Sequence, residues 1–432
     1  MKIFLLGDLK LTDTVKKSMT LYITMVIGMV VGIVISVINT RSMGKEQYGD
    51  FKFLINFYSL VVSFLTFGSF YSGGRLLAKV NNALKKRTLI NDILILATLS
   101  TLILIIISFV FSFFENRWFG HNLGFLIRIT LPLLFIFPFS LCLEQILQGT
   151  NRIYGLSFFR LGPKLLFMAL SLFMMYYFSL GLIATLFIHL ISSAVIIIGV
   201  IYLLKPKFSF KIAHLEEIKK ENINYGFPVY LGSITGVASS YIAGLTISYY
   251  IDNVNVGYYY LAITAAMPLA ILPASLGTTF FKQFFSMKKI PRKVNIATFS
   301  IGIFCLMLFL IFIKQIVIFL YTKDFYPVIE ISYLIAIGTT FHGFGDFYNK
   351  FLSAKGLGKQ LRNSNFILGA FNLIGYTVFI KFYGLSGAVY TKLFAGILYF
   401  MNMLYYYKQY QRNEEQTSLN QNIDENSNMS DM

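Results

Sequence analysis

The residues best suited to chemistry in this sequence are charged side chains that lie inside long apolar runs. Seven of them are cations, two are acids, and two histidines accompany them. They are Lys52, Arg128, Arg160, Lys164, Lys314, Lys350, Lys392, Glu144, Asp346, His189 and His342. A charge inside a bilayer is costly unless it faces water or a partner. The excess of positive charge therefore predicts a polar interior that attracts anions.

Arg160 and Lys164 form the strongest candidate site in this set. They are four residues apart, so they share one face of a helix. At about 1.5 Å per residue from the nearest loop, they lie roughly 9 and 15 Å deep. Arginine offers phosphate a planar pair of donors, and lysine offers a point charge. Glu144 on the preceding run could neutralise either cation, so a structural ion pair is the alternative interpretation.

Further candidates complete the predicted site. The predicted substrate-binding residues are Arg160, Lys164, Lys392, Arg128, Lys52 and Asn56. Asn56 lies one turn after Lys52, which indicates a polar stripe, although Lys52 could instead extend toward the headgroups. Glu144 and His189 are candidate proton carriers, because carboxylate and imidazole groups can take up and release protons.

Other polar residues have simpler explanations. Asp346 and Lys350 are four residues apart and are expected to pair on one helix face. Asp92 lies at the end of a run and is expected to reach water. The tyrosine clusters at 258–260 and 405–407 fit the aromatic belts that line membrane interfaces.

Composition places the chain in a membrane. The 432 residues are 56% hydrophobic and only 13% charged, whereas a soluble domain carries about 25% charged residues. A helix needs about 20 apolar residues to cross a bilayer, and the chain contains twelve such runs. They cover 18–40, 51–73, 90–113, 123–148, 154–178, 181–204, 225–251, 256–280, 294–320, 328–353, 363–381 and 384–407.

The loop residues set the orientation in the membrane. Lysine and arginine concentrate in the N-terminal arm, in the loops after even-numbered runs and in the tail, and are sparse in the other loops. Basic loops stay in the cytoplasm, so both termini are predicted to be cytoplasmic. The same distribution accounts for the net charge of +18 without a nucleic-acid partner.

An internal repeat divides the chain into halves. A polar turn is predicted at 41–50, just before the second apolar run. The segment GKEQYGDFKFL (44–54), which overlaps this turn, aligns with DNVNVGYYYLA (252–262) and places Gly49 opposite Gly257. A weaker match at nearly the same offset follows the fourth and tenth runs. Even numbers of spans per repeat give parallel halves around an axis along the membrane normal. We therefore predict an all-α membrane protein with about twelve transmembrane helices in two parallel six-helix lobes around a central cavity.

The predicted segments follow from this division. They are a cytoplasmic arm (1–17), a first lobe with runs one to six (18–204), a cytoplasmic linker (205–224), a second lobe with runs seven to twelve (225–407) and a disordered cytoplasmic tail (408–432). Disorder is expected in the tail because its composition is polar and lacks apolar surface to bury.

Motifs for catalysis and metal binding are absent from the sequence. We find no Walker loop, no dinucleotide fingerprint and no HExxH pattern. The two cysteines, Cys142 and Cys305, lie inside apolar runs and form neither a zinc-ligand spacing nor a disulfide framework. We therefore expect no enzymatic activity, no cofactor and no metal.

Four segments carry a resemblance to a known family: MGKEQYGDFKFLINFYSLVVSFLTFGS, LEQILQGTNRIYGLSFFRLGPKLLF, NYGFPVYLGSITGVASSYIAGLTISYYIDNVNVGYYYLA and FHGFGDFYNKFLSAKGLGKQLRNSNFILGAFNLIG. They resemble the polysaccharide biosynthesis flippases, the O-antigen or capsule repeat-unit exporters of the multidrug/oligosaccharidyl-lipid/polysaccharide superfamily. The similarity covers about residues 10–407.

The resemblance implies a cationic cavity between two lobes and export of undecaprenyl-pyrophosphate-linked oligosaccharide across the bacterial cytoplasmic membrane by alternating access. The product would serve O-antigen, capsule or exopolysaccharide synthesis. The implied partners are the anionic lipid-linked oligosaccharide, membrane lipids, and a polysaccharide polymerase and chain-length regulator. The family contributes no individual binding residue, since its motifs are loose glycine and aromatic patterns.

Two other functions compete with this one. A multidrug or cation antiporter of the same fold predicts a carboxylate deep in the first or seventh run, and neither 18–40 nor 225–251 contains one. A glycosyltransferase or polymerase would need a larger polar loop than any in this chain.

Overall fold

A computed structural model describes the backbone of residues 13–207 and 213–430. All regular secondary structure in these ranges is helical. This agrees with the apolar runs, because a helix satisfies its own backbone hydrogen bonds inside lipid. Most of the predicted arm 1–17 and part of the linker 205–224 lie outside the described residues.

The helices follow the predicted runs in order. They are α1 (Asp13–Leu65), α2 (Ser69–Lys79), α3 (Ala83–Phe119), α4 (Gly124–Thr130), α5 (Ile136–Gly149), α6 (Ile153–Tyr177), α7 (Leu182–Leu204), α8 (Leu215–Glu221), α9 (Phe227–Tyr250), α10 (Asn253–Phe284), α11 (Arg292–Leu320), α12 (Pro327–Ala354), α13 (Gly358–Ile374) and α14 (Ile380–Ser430). Short 3-10 turns lie at Leu131–Leu133 and Lys323–Phe325, and π-helical turns lie at Asn222–Gly226 and Gly375–Phe379.

Consecutive runs are separated in two places by a single glycine. Gly44 interrupts α1 with φ 69° and ψ −179°, and Gly384 interrupts α14 with φ 57° and ψ −140°. Glycine adopts positive φ at little cost, so each helix can change direction without a loop. The polar turn predicted at 41–50 is therefore wrong in extent, since Gly44 alone leaves the helical conformation there.

The length and composition of the helices agree with the predicted membrane protein. Nine helical stretches among the described residues are long and apolar enough to cross a membrane. Two of these nine stretches, Met19–Leu65 and Gly358–Gln416, each correspond to two predicted runs, so the nine account for eleven runs. The remaining run, 225–251, lies on α9. The predicted twelve transmembrane helices are thereby confirmed.

The described residues form two compact units. The first unit comprises the described residues within Met1–Ser42, Phe64–Asn116 and Asn122–Tyr230. The second comprises those within Met43–Ser63, Arg117–His121 and Leu231–Met432. The second unit thus includes a helical segment, 43–63, that the sequence places within the first lobe, 18–204.

Within the first unit, acidic residues of α8 bind the basic end of α2 and the start of α3. Glu221 lies 3.0 Å from Arg75 and 2.9 Å from Lys79. Glu217 lies 2.9 Å from Lys85. The linker is therefore held to the basic loop by ion pairs, which the sequence did not predict.

Asp92 provides a buried anchor for the same linker. Its side chain is only 1% exposed, and it accepts a hydrogen bond from the backbone of His214 at 3.0 Å. Its Oδ2 also lies 2.8 Å from His214 Nδ1. The expectation that Asp92 reaches water is wrong, because residues 213–214 cover the carboxylate.

Within the second unit, the two glycines aligned by the repeat lie against each other. A Cβ atom on Gly257 would lie 3.2 Å from the Cα atom of Gly49. A Cβ atom on Gly49 would overlap the backbone oxygen of Asn253. The helical segment 45–65 and α10 therefore approach each other backbone to backbone, which only glycine permits at these positions.

A chain of hydrogen-bonded polar side chains joins the same two helices. The side chain of Asn253 donates to Asp50 at 2.6 Å, and Ser248 donates to Asn253 at 2.6 Å. The chain ends at His121, whose Nε2 lies 3.3 Å from the Ser248 hydroxyl.

Helix α14 continues to Ser430, whereas the sequence predicts disorder for 408–432. No glycine or proline follows Gly396, so nothing in the sequence interrupts backbone hydrogen bonding. The tail also lacks an apolar face for packing, which is the property on which the prediction of disorder rests.

Gly49→Ala should destabilise the protein, because the new methyl group collides with the backbone of Asn253 rather than with a movable side chain. Overpacking of this kind costs about 1–3 kcal/mol, so we expect the unfolding temperature in detergent to fall by several degrees. Gly32→Ala is the control, since a Cβ atom there meets nothing within 4 Å. Equal unfolding temperatures for the two variants would contradict the close approach.

Acidification should weaken the fold through His121, which lies between α3 and α4. Burial lowers the pKa of His121 below its usual 6.5, although Asp50, Asp252 and the bond to Ser248 act in the opposite direction. The unfolded chain therefore binds a proton before the folded chain does, and stability falls as pH drops below 6.5 toward the folded pKa. The His121→Gln variant should lose less unfolding temperature than the native protein between about pH 7.5 and pH 5. An identical loss in both proteins would contradict this assignment.

Candidate functional site

Arg160 is paired with Glu144 in the first unit. Helix α6 carries the arginine and α5 carries the acid. Both Nη2 and Nε of Arg160 contact one carboxylate oxygen of Glu144, the Nε at 3.1 Å. Gln148 donates to the same oxygen at 3.4 Å. The structure thus contains the ion pair that the sequence left open as an alternative.

The pair leaves part of the guanidinium available. The side chain of Arg160 is 43% exposed, and its contact with Glu144 uses Nε and Nη2 but not Nη1. Because the charge is already balanced, an anion at this point would gain a hydrogen-bond partner but little net attraction. Arg160 and Glu144 therefore act as one unit rather than as a free cation and a free proton carrier.

Lys164, one turn further along α6, has a different environment. Its Nζ donates to the backbone oxygen of Gly28 on α1 at 3.2 Å. It forms no ion pair with a described residue, and the residue as a whole is exposed. An ammonium group has three donors, so donors remain for a ligand. Lys164 is consequently the less neutralised member of the predicted pair.

Arg128 and His189 each have local partners. The guanidinium of Arg128 lies 5.2 Å from the centre of the Phe113 ring and donates to Ser112 at 3.5 Å. The ring of His189 packs edge-on against Phe167 at 5.6 Å. These contacts tie both residues to neighbouring helices of the first unit.

Lys52 and Asn56 lie in the second unit, on the helical segment after Gly44. The ammonium of Lys52 lies 5.3 Å from the centre of the Tyr48 ring. Asn56 is buried and donates to the backbone oxygen of Lys52 at 2.7 Å. The amide of Asn56 therefore satisfies its own helix, which weakens the interpretation of these residues as a polar stripe.

Lys392 lies in a polar cavity of about 280 Å³ within the second unit. Helices α9, α12, α13 and α14 surround it, together with the π-helical turn at Gly375–Phe379. Its polar lining includes Ser240, His342, Asn365, Asn372, Tyr376 and Lys392. Of these residues, sequence analysis predicted only Lys392 to bind substrate and named His342 without assigning it a role. The other four are uncharged and widely separated along the chain.

Asp346 is not part of the described lining of this cavity but contacts two residues that are, His342 on α12 and Tyr399 on α14. Tyr399 donates to Asp346 at 3.0 Å, and its ring stacks on His342 at 4.4 Å between centres. The Nε2 atom of His342 lies 4.0 Å from Asp346. The expected pair of Asp346 with Lys350 is wrong, because the stem of Lys350 turns toward Gly277 on α10.

The tyrosines at 258–260 are internal rather than interfacial. Tyr258 donates to the backbone oxygen of Asp324 at 2.8 Å, and Tyr260 donates to that of Ser240 at 2.9 Å. The hydroxyl of Tyr259 lies 2.9 Å from that of Tyr376. The aromatic-belt prediction is wrong for this cluster, since consecutive helical residues point about 100° apart and cannot all face one interface.

Within the part of the chain that the structure describes, no group of three or more histidine, cysteine, aspartate or glutamate side chains could hold a metal ion. Cys142 and Cys305 are both free thiols. Among the groups described above, those that can bind an anion or a polyol are ammonium, guanidinium, amide and hydroxyl groups.

Comparisons with known proteins agree with the helical architecture. A model of the polysaccharide biosynthesis protein family matches residues 14–281. A search of curated protein sequences finds no match.

Solved structures extend the likeness to nearly the whole chain. One is the lipid II flippase MurJ in an inward closed conformation, with a TM-score of 0.74 and 17% identity over 90% of this chain and 87% of that one. Another is an inward-facing multidrug resistance MATE family transporter of the MOP superfamily, with a TM-score of 0.63 and 14% identity over 89% of this chain and 96% of that one. A third is the MATE multidrug transporter DinF-BH, with a TM-score of 0.64 and 13% identity over 91% of this chain and 94% of that one. These likenesses confirm the predicted fold class.

Removing either member of the Arg160–Glu144 pair should lower the amount of folded protein in the membrane, because the other charge is left without its partner. The exchange Arg160→Glu with Glu144→Arg should restore the amount, since both charges are again paired. Size-exclusion profiles of the single and double variants test this. If the exchange behaves like the sum of the two single variants, the pair has no structural role.

Proposed function

The chain belongs to the polysaccharide biosynthesis protein family, and from this we propose that it is a flippase for undecaprenyl-pyrophosphate-linked oligosaccharide repeat units. Its family and fold are those of multi-pass membrane flippases and transporters. The proposed direction is from the cytoplasmic to the outer leaflet of the bacterial cytoplasmic membrane, with both termini in the cytoplasm. The basic loops identified in the sequence support that orientation.

The sign of the charge inside the spans is the observation that carries this proposal. Seven cations and two acids lie deep within the predicted runs, and both of these acids already have partners. Glu144 is bound by Arg160, and Asp346 is bound by Tyr399. Asp92, near the start of its run, is bound by His214. Lys164 and Lys392 keep ammonium groups without an ion pair among the described residues. A pyrophosphate-linked substrate has the complementary sign, whereas a cationic drug does not.

Candidate substrate-binding residues lie in each unit. In the first unit the main candidate is Lys164, because it lies deep in its membrane span and its ammonium has donors left for a ligand. Arg160 would add hydrogen bonds to the substrate. Arg128 is a further candidate there. Lys52 and Lys392 are the candidates in the second unit. We propose that these cations attract the pyrophosphate or acidic sugars of the substrate, with Asn56 in a minor role.

Alternating access would move the substrate without ATP, since the sequence has no nucleotide-binding motif. Lobes that rock about a fixed site need helices that bend at defined points. Pro163 in α6 and Pro268 and Pro273 in α10 offer such points. The π-helical turn Gly375–Phe379 offers another. An ion gradient, the membrane potential or consumption of the product would supply the driving force.

Export of repeat units implies a consumer on the far side. We propose that a polysaccharide polymerase and a chain-length regulator act on the product, in the synthesis of O-antigen, capsule or exopolysaccharide. The chemistry supports the polymerase, because a lipid-linked repeat unit becomes a polymer only by glycosyl transfer, for which this chain carries no motif.

A multidrug or cation antiporter is the second candidate, because multidrug transporters share the fold. The acid that such a mechanism needs is absent from 18–40 and 225–251. Asp346 would be the remaining acid for that role, but it is bound by Tyr399 and stands beside Lys392. The charge distribution therefore favours the anionic substrate.

Lys164→Gln should reduce leaflet exchange of a lipid-linked oligosaccharide in proteoliposomes about tenfold, because a charge-assisted hydrogen bond contributes about 1.5–3 kcal/mol. Lys164→Arg should retain most of the rate, since it keeps the charge. Lys314→Gln is the matched control, being an exposed lysine within the spanning helix α11.

Two outcomes would overturn these assignments. Equal rates for Lys164→Gln and Lys314→Gln would remove Lys164 from the site. No leaflet exchange by the native protein, together with proton-coupled movement of a cationic dye, would replace the flippase by the antiporter.

A further inference from the structure

The cavity within the second unit has the lining of a binding site rather than of a packing defect. Its volume is about 280 Å³. Amide and hydroxyl groups converge on it from two helices, Ser240 from α9 and both Asn365 and Asn372 from α13, and the hydroxyl of Tyr376 joins them from the π-helical turn. An empty cavity that results from imperfect packing is apolar, so polar groups converging from separate helices indicate a polar occupant.

Lys392 is the one permanent charge on the described lining of this cavity. Its ammonium group forms no hydrogen bond and no ion pair with a described residue. Asp346 interacts with it electrostatically from behind the lining, and Tyr399 holds that carboxylate in place at 3.0 Å. The acid lowers the cost of holding a cation inside the protein while leaving the ammonium donors available for a ligand.

The remaining groups define the rest of the ligand. Amide side chains both donate and accept hydrogen bonds, which suits the vicinal hydroxyl groups of a sugar. His342 and Tyr399, whose rings stack on each other at 4.4 Å between centres, complete this part of the lining. Ligand pockets usually measure about 300–1,000 Å³, so this cavity, at about 280 Å³, fits one sugar ring and not a whole oligosaccharide.

We propose that this cavity binds a single acidic glycosyl residue, a sugar ring that carries a carboxylate. Lys392 pairs with the carboxylate. Asn365, Asn372 and Tyr376 bond to the ring hydroxyls. The inference rests on the proposed function, since the acidic residue would belong to the transported oligosaccharide, and it names the substrate feature that the second unit recognises.

The pyrophosphate is the other anion of such a substrate, but it fits this cavity less well. Phosphate sites in proteins favour arginine or several backbone N–H groups, and the described lining contains no arginine. A carboxylate needs only one ammonium partner, which matches the single lysine.

Binding of free sugars to the full-length protein in nanodiscs tests the proposal. The probes are glucuronate, glucose and inorganic phosphate, measured by saturation-transfer NMR and by titration calorimetry. We expect glucuronate to bind at least tenfold more tightly than glucose and phosphate to bind no better than glucose. Lys392→Gln should abolish the preference for glucuronate, and Lys392→Arg should keep it.

Two further variants make the result specific. Lys350→Gln should leave binding unchanged, because the stem of Lys350 packs on Gly277 and does not line the cavity. Asn365→Asp places a negative charge on the lining, so it should weaken the binding of glucuronate at least tenfold more than it weakens the binding of glucose. If Lys392→Gln fails to fold, Asn365→Asp still tests whether charge on the lining determines the preference for glucuronate.

Equal binding of glucuronate and glucose would overturn the proposal, and so would an unchanged preference in Lys392→Gln or tighter binding of phosphate than of glucuronate. Leaflet exchange measured on the same preparations separates this inference from the proposed function. If the protein exchanges lipid-linked oligosaccharide between leaflets but does not prefer glucuronate over glucose, only the inference about the cavity is wrong. If it prefers glucuronate but exchanges no lipid-linked oligosaccharide, the proposed flippase function is wrong.

Discussion

The cost of placing a charge inside a membrane governs where the polar residues of this chain lie. Each charged side chain within a span needs water, a partner or a ligand. Arg160 has Glu144, and Asp346 has Tyr399 with His342 beside it. What remains after these pairings is positive. That remainder, chiefly Lys164 and Lys392, is the basis of the proposed selectivity for anions, because a cation held at low dielectric interacts strongly with an incoming negative group.

Compensation by acids has two different consequences. The Arg160–Glu144 pair is a direct contact, so it balances the charge of Arg160 and joins α5 to α6. Asp346 acts at longer range, since a tyrosine and a histidine hold it beside Lys392 without contact. A carboxylate therefore joins α5 to α6 in the first case, whereas in the second it leaves the ammonium of Lys392 available for a ligand. The basic loop near α2 shows the first pattern again, where Glu221 neutralises Arg75 and Lys79.

Close helix contact through glycine allows these charges to be positioned. Inside lipid, helices associate through packing and not through the hydrophobic effect, so small residues at contacts are favoured. Gly49 and Gly257 bring two backbones together in the second unit, and Gly338 with Gly396 does the same for α12 and α14. The second contact sets the distance between the helices that carry His342 and Tyr399, which form the stacked pair beside the cavity.

The sequence by itself determined the number of spans, the helical class, the family and the sign of the buried charge. These properties depend on local runs of apolar residues and on counting, which require no knowledge of contacts. Only the tertiary structure decided which cations are paired. Arg160 and Lys164 look equivalent along the chain, yet an acid on α5 reaches only one of them. Lys392 could be named from the sequence, but its cavity could not, because Ser240, Asn365 and Tyr376 meet only after four helices pack together.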